Sequence, residues 1–384
     1  MQPLQVEAVA PQDLGPQEWA LWDRFVASGR GYESPYFHPA YIRAAGEVTP
    51  NAGVAVLRRG GRVEGFLPFQ RRQGLVQPLA APMTDYHGPV ARPGAQIDLA
   101  EVVAQLDADR FRFSGLRLAA PLGLAAASRP AMTADLSQGY GAYLARRKGL
   151  HRRFFKTKAR LARALERDHG TVSFSFSRED EGALDWILAR KRAQYRRTAR
   201  HDIFRCGWTE ALLRLLVETA DADFGPRFAV LRAGDRIVSA EMSLAAGGVC
   251  HLWFPAYDLG FARYAPGMLM TLRTLEAFAR EGGRVVDFGA GGEPYKAYFA
   301  DPADSVLQGV VAARASRRTW DGAAAAVTRC APMLARARES YVRRFDVVAA
   351  CETTRAGWLK GAAGALKAAA SSRGRRPAEG PAGA

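Results

Sequence analysis

The chain has 384 residues, of which 48% are apolar and 24% charged, a globular composition with enough length for two domains or one large one. Its four cysteines, Cys206, Cys250, Cys330 and Cys351, are far apart and form no C-x-x-C pair, which argues against a zinc motif or a disulfide framework and favours a reducing compartment. No run approaches the roughly 18 apolar residues of a membrane span, and the first residues lack the basic start and apolar core of a signal peptide. We therefore expect a cytoplasmic protein without a bound metal.

The net charge of +16 is concentrated in one segment, since the range from Tyr140 to Arg205 holds 18 Lys and Arg against 7 Asp and Glu. A solvated helix face is the ordinary explanation for such a run, but so large an excess favours an anionic partner. We expect a nucleotide sugar, a lipid-linked sugar phosphate or the inner face of the cytoplasmic membrane, where the protein would bind peripherally. No DNA is expected as a partner, because the sequence shows no base-stacking platform or nucleic-acid module.

The first half of the chain is predicted to alternate strands and helices. Apolar periodicity and turn residues indicate a strand at Leu4–Val9, a helix at Pro16–Ser28, a hairpin formed by Val54–Arg58 and Val63–Gln70, a helix at Ile97–Ala108 and a strand near Arg112–Leu118. The Ala- and Pro-rich range Ala119–Pro130 is predicted to be a connection. The polar loop from Met83 to Pro89 is expected to line a cleft, with a simple capped turn as the alternative.

The second half begins with the long basic helix predicted at Tyr140–His169. Further elements are a strand at Thr171–Ser177, a helix at Glu179–Arg197, a helix at Trp208–Ala220 capped by Thr209, a hairpin of Phe228–Leu231 and Ile237–Leu244, and a last strand at Val306–Ala313. The two halves have a similar order of strands and helices, which indicates a duplicated fold.

The stretch from His251 to Ala300 carries most of the residues suited to chemistry. A strand at His251–Tyr257 is followed by Pro266 and Gly267, which begin a helix, and a buried strand at Val285–Phe288 then runs into a glycine loop. This order places a backbone-lined anion site at a helix N-terminus, with polar residues at the neighbouring strand ends. His251 itself is interpreted as a packed histidine.

The motif Asp287-Phe288-Gly289-x-Gly-x-Glu293-Pro294-Tyr295-Lys296, together with Ala265-Pro266-Gly267, resembles the CelD-like branch of the GNAT acyltransferase superfamily. The tandem arrangement is also similar to the FemABX aminoacyl transferases. The resemblance covers roughly residues 5–315 and implies an α/β (α+β) fold of two tandem GNAT-like domains, each a mixed, mostly antiparallel sheet flanked by helices. The implied division is a degenerate domain at 1–135, an acyltransferase domain at 136–315, a helical extension at 316–370 and a disordered tail at 371–384.

The resemblance also implies acetyl-CoA or another acyl-CoA as co-substrate. Four residues around the start of the predicted helix are expected to contact the CoA pyrophosphate: Arg263, Pro266, Gly267 and Met268. A helix start offers free N–H groups and about half a positive charge, which suits a phosphate. The usual Q/R-x-x-G-x-G/A string is absent, and an ordinary strand-to-helix turn is the alternative.

Acyl transfer to an amine requires a base for the amine proton and a donor for the leaving thiolate. The candidates are Glu241, Asp287, Tyr295 and Lys296. Either Glu241 or Asp287 is expected to be the base, and Tyr295 and Lys296 are expected to support the thioester. The alternative for Asp287 and Lys296 is a structural pair that pins the glycine loop.

Acceptor contacts are expected from Asp85, Tyr86, His87, Tyr257 and Glu293. In the tail, Arg373, Arg375 and Arg376 are expected either to bind an anionic regulator, such as a cyclic dinucleotide, or to be disordered.

Together these features predict an acyl-CoA-dependent N-acyltransferase that modifies an amino sugar, or a sugar precursor, for a bacterial exopolysaccharide of the cellulose or holdfast-adhesin kind. One alternative is a FemABX-like transferase that uses aminoacyl-tRNA, for which the basic helices would be the tRNA face. The other is a non-catalytic scaffold that binds polysaccharide synthesis proteins.

Overall fold

The structure is a computed structural model, and it describes residues 2–29, 31–72, 75–118, 126–179, 182–313 and 344–372, with side chains of the last segment as far as 364. The strands lie in one 13-stranded sheet. They are β1 (Gln5–Val9), β2 (Ala52–Arg59), β3 (Arg62–Arg72), β4 (Leu75–Pro78), β5 (Val90–Ala91), β6 (Arg110–Leu116), β7 (Ala127–Asp135), β8 (Val172–Ser177), β9 (Phe224–Ala233), β10 (Arg236–Ala246), β11 (Val249–Tyr257), β12 (Val285–Ala290) and β13 (Asp301–Ala312).

Helices cover both faces of this sheet. They are α1 (Pro16–Ser28), α2 (Pro39–Val48), α3 (Leu99–Gln105), α4 (Gly139–Leu150), α5 (Arg152–His169), α6 (Ala183–Thr198), α7 (Trp208–Glu218), α8 (Pro266–Arg280) and α9 (Arg355–Ser372). Residues 344–351 are also helical. Among the described residues, no helix combines the length and the apolar character needed to cross a bilayer.

The strand order is β1-β2-β3-β4-β6-β13-β7-β12-β11-β10-β9-β8, with β5 paired to β3. Most pairs are antiparallel, and the parallel ones are β4 with β6 and β11 with β12. The predicted mixed, mostly antiparallel sheet flanked by helices is confirmed. The last strand, β13, lies between β6 and β7 and therefore joins the two halves of the chain.

Strand β7 corrects the prediction of a connection as far as Pro130. Its sequence is poor in β-branched residues and contains a proline, so its local preference for a strand is weak. Pairing on both sides, with β12 and with β13, outweighs that preference. The Ala- and Pro-rich composition predicts a connection here, but pairing with distant strands makes the residues from Ala127 onwards a strand.

Two helix predictions also change. The basic stretch from 140 to 169 is two helices, α4 and α5, separated at His151. Thr209 does not cap α7, because Gly207 holds the N-cap position with φ of 75°. The Thr209 hydroxyl is buried and donates to the Ile203 carbonyl at 2.7 Å.

The two halves share one hydrophobic core. Trp22 and Phe66 of the first half, whose rings are 5.2 Å apart, belong to the same buried cluster as Phe228 and Phe254 of the second half. Helices α2 and α7 pack against each other across this boundary. The halves are therefore held in a fixed relation, and side chains from both can meet at one site.

Candidate active site

A gap opens in the sheet where two parallel strands separate. Strands β11 and β12 pair at Val249–Val285, Cys250–Val286 and His251–Asp287, and among the described residues their ladder ends at that last pair. Strand β11 continues to Tyr257, whereas β12 turns towards β7, with Ala290 opposite Ala131. Backbone groups of β11 beyond His251 therefore face the gap and are available to a ligand.

Helix α8 begins beside the end of β11, after a 3-10 helix at Leu259–Tyr264. Pro266 has no N–H, and Met268 and Leu269 both donate to the Ala265 carbonyl, at 3.1 and 3.2 Å. Among the described residues this leaves the Gly267 N–H for a ligand. A side chain at Gly267 would meet no atom within 4 Å, so an anion has room to approach the helix start.

The four residues predicted to hold the pyrophosphate surround this helix start, but they are not equivalent. Arg263 is exposed, 3.4 Å from the carboxylate of Asp168, with its guanidinium over the Tyr264 ring. It can turn towards a phosphate at little cost. Met268 is half-buried against the core on the other side of the helix start.

A polar network, buried except at Asp85, joins the loop at Asp85 and Tyr86 to the ends of β11 and β12. The Tyr86 hydroxyl donates to Asp287 Oδ1 at 2.9 Å, and His251 Nε2 lies 2.8 Å from Asp85 Oδ2. The Gly289 N–H donates to Asp287 Oδ1 at 2.7 Å, and Arg117 Nη2 is 3.7 Å from Asp287 Oδ2. The loop at Asp85 and Tyr86 thus contacts the second half of the chain, and its role in binding an acceptor stays a prediction.

The charge states in the network follow from these contacts. Burial lowers the pKa of His251, but its contacts with Asp287 and Asp85 outweigh that effect and raise the pKa to about 9. Burial raises the pKa of Asp287, yet the contacts with His251, Arg117 and Gly289 prevail and hold that pKa below its usual value. The network at neutral pH is therefore an imidazolium between two carboxylates, with a guanidinium beside it.

Glu241 lies on β10, buried, opposite Pro255 of β11 and Ala229 of β9. Burial raises its pKa to about 7, while the charges of Lys191 and His251 limit the rise. Lys191 of α6 is itself buried, and burial lowers its pKa to about 8. Glu241 therefore exchanges a proton near neutral pH, which is the property a general base needs.

Tyr295 and Lys296 lie in the 3-10 helix at Pro294–Tyr298, after the glycine loop. Burial, followed by the charges of Glu241 and Glu293, raises the pKa of Tyr295, so its phenol stays protonated. Lys296 Nζ is 2.8 Å from Glu293 Oε2 and 3.4 Å from the Gly289 carbonyl. Lys296 thus pairs with Glu293, and the alternative of an Asp287–Lys296 pair is wrong, because the cationic neighbours of Asp287 are His251 and Arg117.

His87 and Tyr257 lie apart from the network. The His87 Nε2 accepts from the Gly115 N–H at 3.2 Å, its ring packs on Phe111, and burial lowers its pKa to about 3. It therefore anchors the loop in its neutral form. Tyr257 is half-buried at the end of β11, opposite Ser239. The arginines of the tail at 373, 375 and 376 lie outside the described residues.

Three residues of the site were missed by the sequence analysis: Arg117, Lys191 and Tyr36. The ring of Tyr36 is 5.1 Å from that of His251, and its buried hydroxyl has no partner among the described residues. Arg117 lies with its guanidinium 4.0 Å from the Tyr86 ring centre. Each comes from a segment distant in sequence from residues 241–296, so local motif reading had no signal for it.

Gly115 is required for the loop to reach the network. A Cβ at this position would lie 1.8 Å from the Asp85 carbonyl oxygen, a distance that only displacement of the backbone relieves. We predict that Gly115→Ala lowers the free energy of unfolding by about 1–3 kcal/mol, measured by urea denaturation. Gly141→Ala is the control, because a Cβ there meets no atom within 4 Å. Equal effects of the two substitutions would contradict the prediction.

Residues 152–297 match the family model described as an acetyltransferase (GNAT) domain. No curated protein matches the sequence at a significant level.

Several solved structures are similar in fold. A tandem GNAT protein from the clavulanic acid biosynthesis pathway superposes with a TM-score of 0.50 at 13% identity, over 81% of this chain and 99% of that one. FemX superposes with a TM-score of 0.47 at 14% identity, over 82% and 98% of the chains. A conserved protein from Bacteroides thetaiotaomicron superposes with a TM-score of 0.48 at 12% identity, over 82% and 100%. The chain thus has a GNAT-like fold similar to that of a tandem GNAT protein, and its residues 152–297 match the GNAT acetyltransferase family.

Proposed function

We propose that the protein transfers an acyl group from acyl-CoA to an amine at the gap between β11 and β12. One observation carries the proposal: Glu241, a buried carboxyl group with a pKa of about 7, lies beside a gap in the sheet that a helix N-terminus borders. The N-terminus of α8 would bind the pyrophosphate through the Gly267 N–H and Arg263. The free backbone edge of β11 would then hold the rest of the co-substrate along the gap.

In this proposal Glu241 accepts a proton from the attacking amine as its nitrogen bonds to the thioester carbonyl carbon. The carbon–sulfur bond then breaks, and Tyr295 donates its phenolic proton to the leaving thiolate. The proton on Glu241 restores Tyr295, so the enzyme returns to its starting state. Asp287 is a positioning residue here, because its pKa is lowered and its oxygens already accept from Tyr86 and Gly289.

The acceptor we propose is an amino sugar or sugar precursor of an exported polysaccharide, as the motif resemblance implies. Asp85 supports this choice, because it is the network carboxylate that is exposed and can attract an ammonium group. The exposed basic residues of α5 support an anionic carrier: Arg152, Arg153, Lys156, Arg160, Arg163 and Arg167. Of these, Arg167 alone has an ion pair among the described residues, with Asp168. A nucleotide sugar or a lipid-linked sugar phosphate at the cytoplasmic side of the membrane fits this surface.

The first experiment measures binding of acetyl-CoA and of longer acyl-CoAs by calorimetry. We predict micromolar binding that Gly267→Trp abolishes, since the indole would fill the space in front of the helix start. Gly141→Trp is the matched control, because Gly141 also lies in the first turn of a helix with nothing within 4 Å of its Cβ. Absence of binding to every acyl-CoA would overturn the proposal.

The same preparation tests the aminoacyl-tRNA alternative, for which the exposed cations of α5 are the relevant observation. Binding of aminoacyl-tRNA with an affinity that falls steeply with salt concentration, without any binding of CoA, would favour the aminoacyl-tRNA function. Acyl-CoA binding with no transfer to amines would favour the scaffold.

A further inference from the structure

Three side chains able to bind a metal lie close together outside the network of Asp85, His251 and Asp287, and a fourth, Glu352, lies beside one of them. His201 and Cys206 lie in the connection between α6 and α7, whereas Cys351 and Glu352 lie at the end of the helical segment 344–351. The His201 nitrogen and the sulfurs of Cys206 and Cys351 all lie within 4.8 Å of one another. These residues come from parts of the chain roughly 145 positions apart, so no spacing motif is visible in the sequence.

The separations among His201, Cys206 and Cys351 are close to those around tetrahedral zinc. With Zn–S bonds of about 2.3 Å and Zn–N or Zn–O bonds of about 2.0–2.2 Å, neighbouring ligand atoms lie about 3.3–3.8 Å apart. His201 Nε2 is 4.0 Å from Cys206 Sγ and 3.4 Å from Glu352 Oε1. A small contraction would bring the two sulfurs and the imidazole to these distances, and the Glu352 carboxylate, which lies beside His201, would turn towards the sulfurs to become the fourth ligand.

The charge around the cluster supports the same ion. A divalent cation bound by two thiolates, a carboxylate and a neutral imidazole carries one net negative charge. Arg72, only 5% exposed, lies where its charge interacts with both Cys351 and Cys206. Its Nε donates to the Ala350 carbonyl at 3.2 Å, but its Nη2 is buried with no partner among the described residues. A buried cation with a free donor is thus near enough to both cysteines for its charge to offset the negative charge of a bound-metal site.

Neighbouring groups hold the four residues in place and leave access to solvent. The Trp208 indole donates to the Cys351 carbonyl at 3.1 Å, and Asp202 caps the turn that carries Cys206 by accepting from the Phe204 N–H at 3.1 Å. The side chains of His201 and Glu352 are 14% and 22% exposed, so an ion can reach the site from the surface.

Helix α9 covers the cluster with two glycines. A Cβ at Gly357 would lie 2.2 Å from Glu352 Oε2, and one at Gly361 would lie 3.5 Å from the His201 ring. The glycines, one helical turn apart, let the helix approach the two ligands that complete the set.

We propose that His201, Cys206, Cys351 and Glu352 bind one Zn²⁺ ion, a structural site that fastens the C-terminal helices to the two halves. With four protein ligands the site is closed, so its role is structural. Thiolate and imidazole ligands favour zinc over calcium or magnesium. The segment it fastens already contacts the first half, because the Ala350 carbonyl accepts from Gln70 and Arg72 of β3. The ion would therefore couple the stability of the C-terminal segment to that of the whole sheet.

The test uses the full chain, purified with reductant from cells supplied with zinc and then freed of loose metal. Elemental analysis should find about one zinc per chain, and replacement by Co²⁺ should produce cobalt–thiolate absorption. The double variant Cys206→Ser/Cys351→Ser should lose both signals, and Glu352→Ala should keep the thiolate band but release metal to a chelator faster. Cys250→Ser is the control and should keep both, since Cys250 is buried in another part of the protein.

The melting temperature gives a second readout, with the double variant as its control. A strong chelator should lower the melting temperature of the parent protein, zinc should restore it, and neither should change that of the double variant. Metal-free parent protein with no response to added zinc would overturn the proposal. So would parent protein in which mass spectrometry after alkylation, without reductant, shows Cys206 and Cys351 joined as a disulfide that persists when zinc is supplied.

Discussion

Replacing Glu241 by Gln should lower kcat by about 10²–10⁴-fold, the usual contribution of a positioned general base. The amide has nearly the same shape as the carboxyl group but cannot accept the amine proton. Steady-state assays with acyl-CoA and an acceptor amine measure the effect, and calorimetry should show unchanged acyl-CoA affinity. Activity close to that of the parent would exclude Glu241 as the base and leave the rest of the proposed site in place.

The pH profile separates a base from a residue that merely shapes the site. Because burial raises the pKa of Glu241 to about 7, the parent enzyme should gain activity as pH rises through 7, where the carboxylate forms, and then reach a plateau. The residual activity of Glu241→Gln should lack that step. A step that persists in the variant would show that another group governs it.

Stability provides the matching control. The Glu241 pKa is about 7 in the folded protein against 4.5 in the unfolded chain, so the folded state binds the extra proton between these values. The protonated Glu241 therefore contributes about 3 kcal/mol to the stability of the folded state below pH 4.5, and this contribution is lost as pH rises through 7. Glu241→Gln removes this loss, so at pH 8 the variant should be at least as stable as the parent. Loss of activity together with retained stability would mark a functional residue.

The sequence predicts the order of helices and strands better than it predicts which side chains pair with each other. Alternating periodicities and the Pro266-Gly267 and Asp287-Phe288-Gly289 signals are local, so the order of elements around the site follows from them. Pairing is not local. Lys296 is near Asp287 in sequence, yet it turns to Glu293, and Asp287 is matched instead by His251 and Arg117.

The charge of His251 is a property that its neighbours in sequence do not reveal. The sequence favours a packed ring, and the ring is indeed fully buried. Its charge, however, depends on Asp287 and on Asp85. The second contact comes from the first half of the chain and exists only because the loop at Asp85 crosses to β11. The zinc ligands proposed above pose the same problem, since each pair is separated from the other by most of the second half. Close spacing in sequence is one way to gather ligands, and folding two distant segments together is another.

Replacing Asp287 by Ala should lower the free energy of unfolding by about 3–5 kcal/mol, because it leaves the buried Arg117 without this carboxylate and leaves the buried His251 with Asp85 alone. Tyr86→Phe removes one hydrogen bond to the same carboxylate and should cost about 1.5–3 kcal/mol. Asp185→Ala is the control: its ion pair with Arg214 is exposed, so the change should be within about 0.5 kcal/mol. Urea denaturation at pH 6 measures all three.

The effect of Asp287→Ala should also depend on pH, in a direction set by both partners. The Asp287 pKa is held below 3.8, so its stabilising contribution is present above that value and is lost as pH falls through the lowered pKa. The His251 pKa is raised from 6.5 to about 9, so its contribution is complete below pH 6.5 and is lost as pH rises through 9. The difference in stability between parent and Asp287→Ala should therefore be largest at about pH 4–6.5 and shrink towards pH 10. A difference that stays constant from pH 5 to 10 would show that Asp287 does not raise the pKa of His251 in the folded protein.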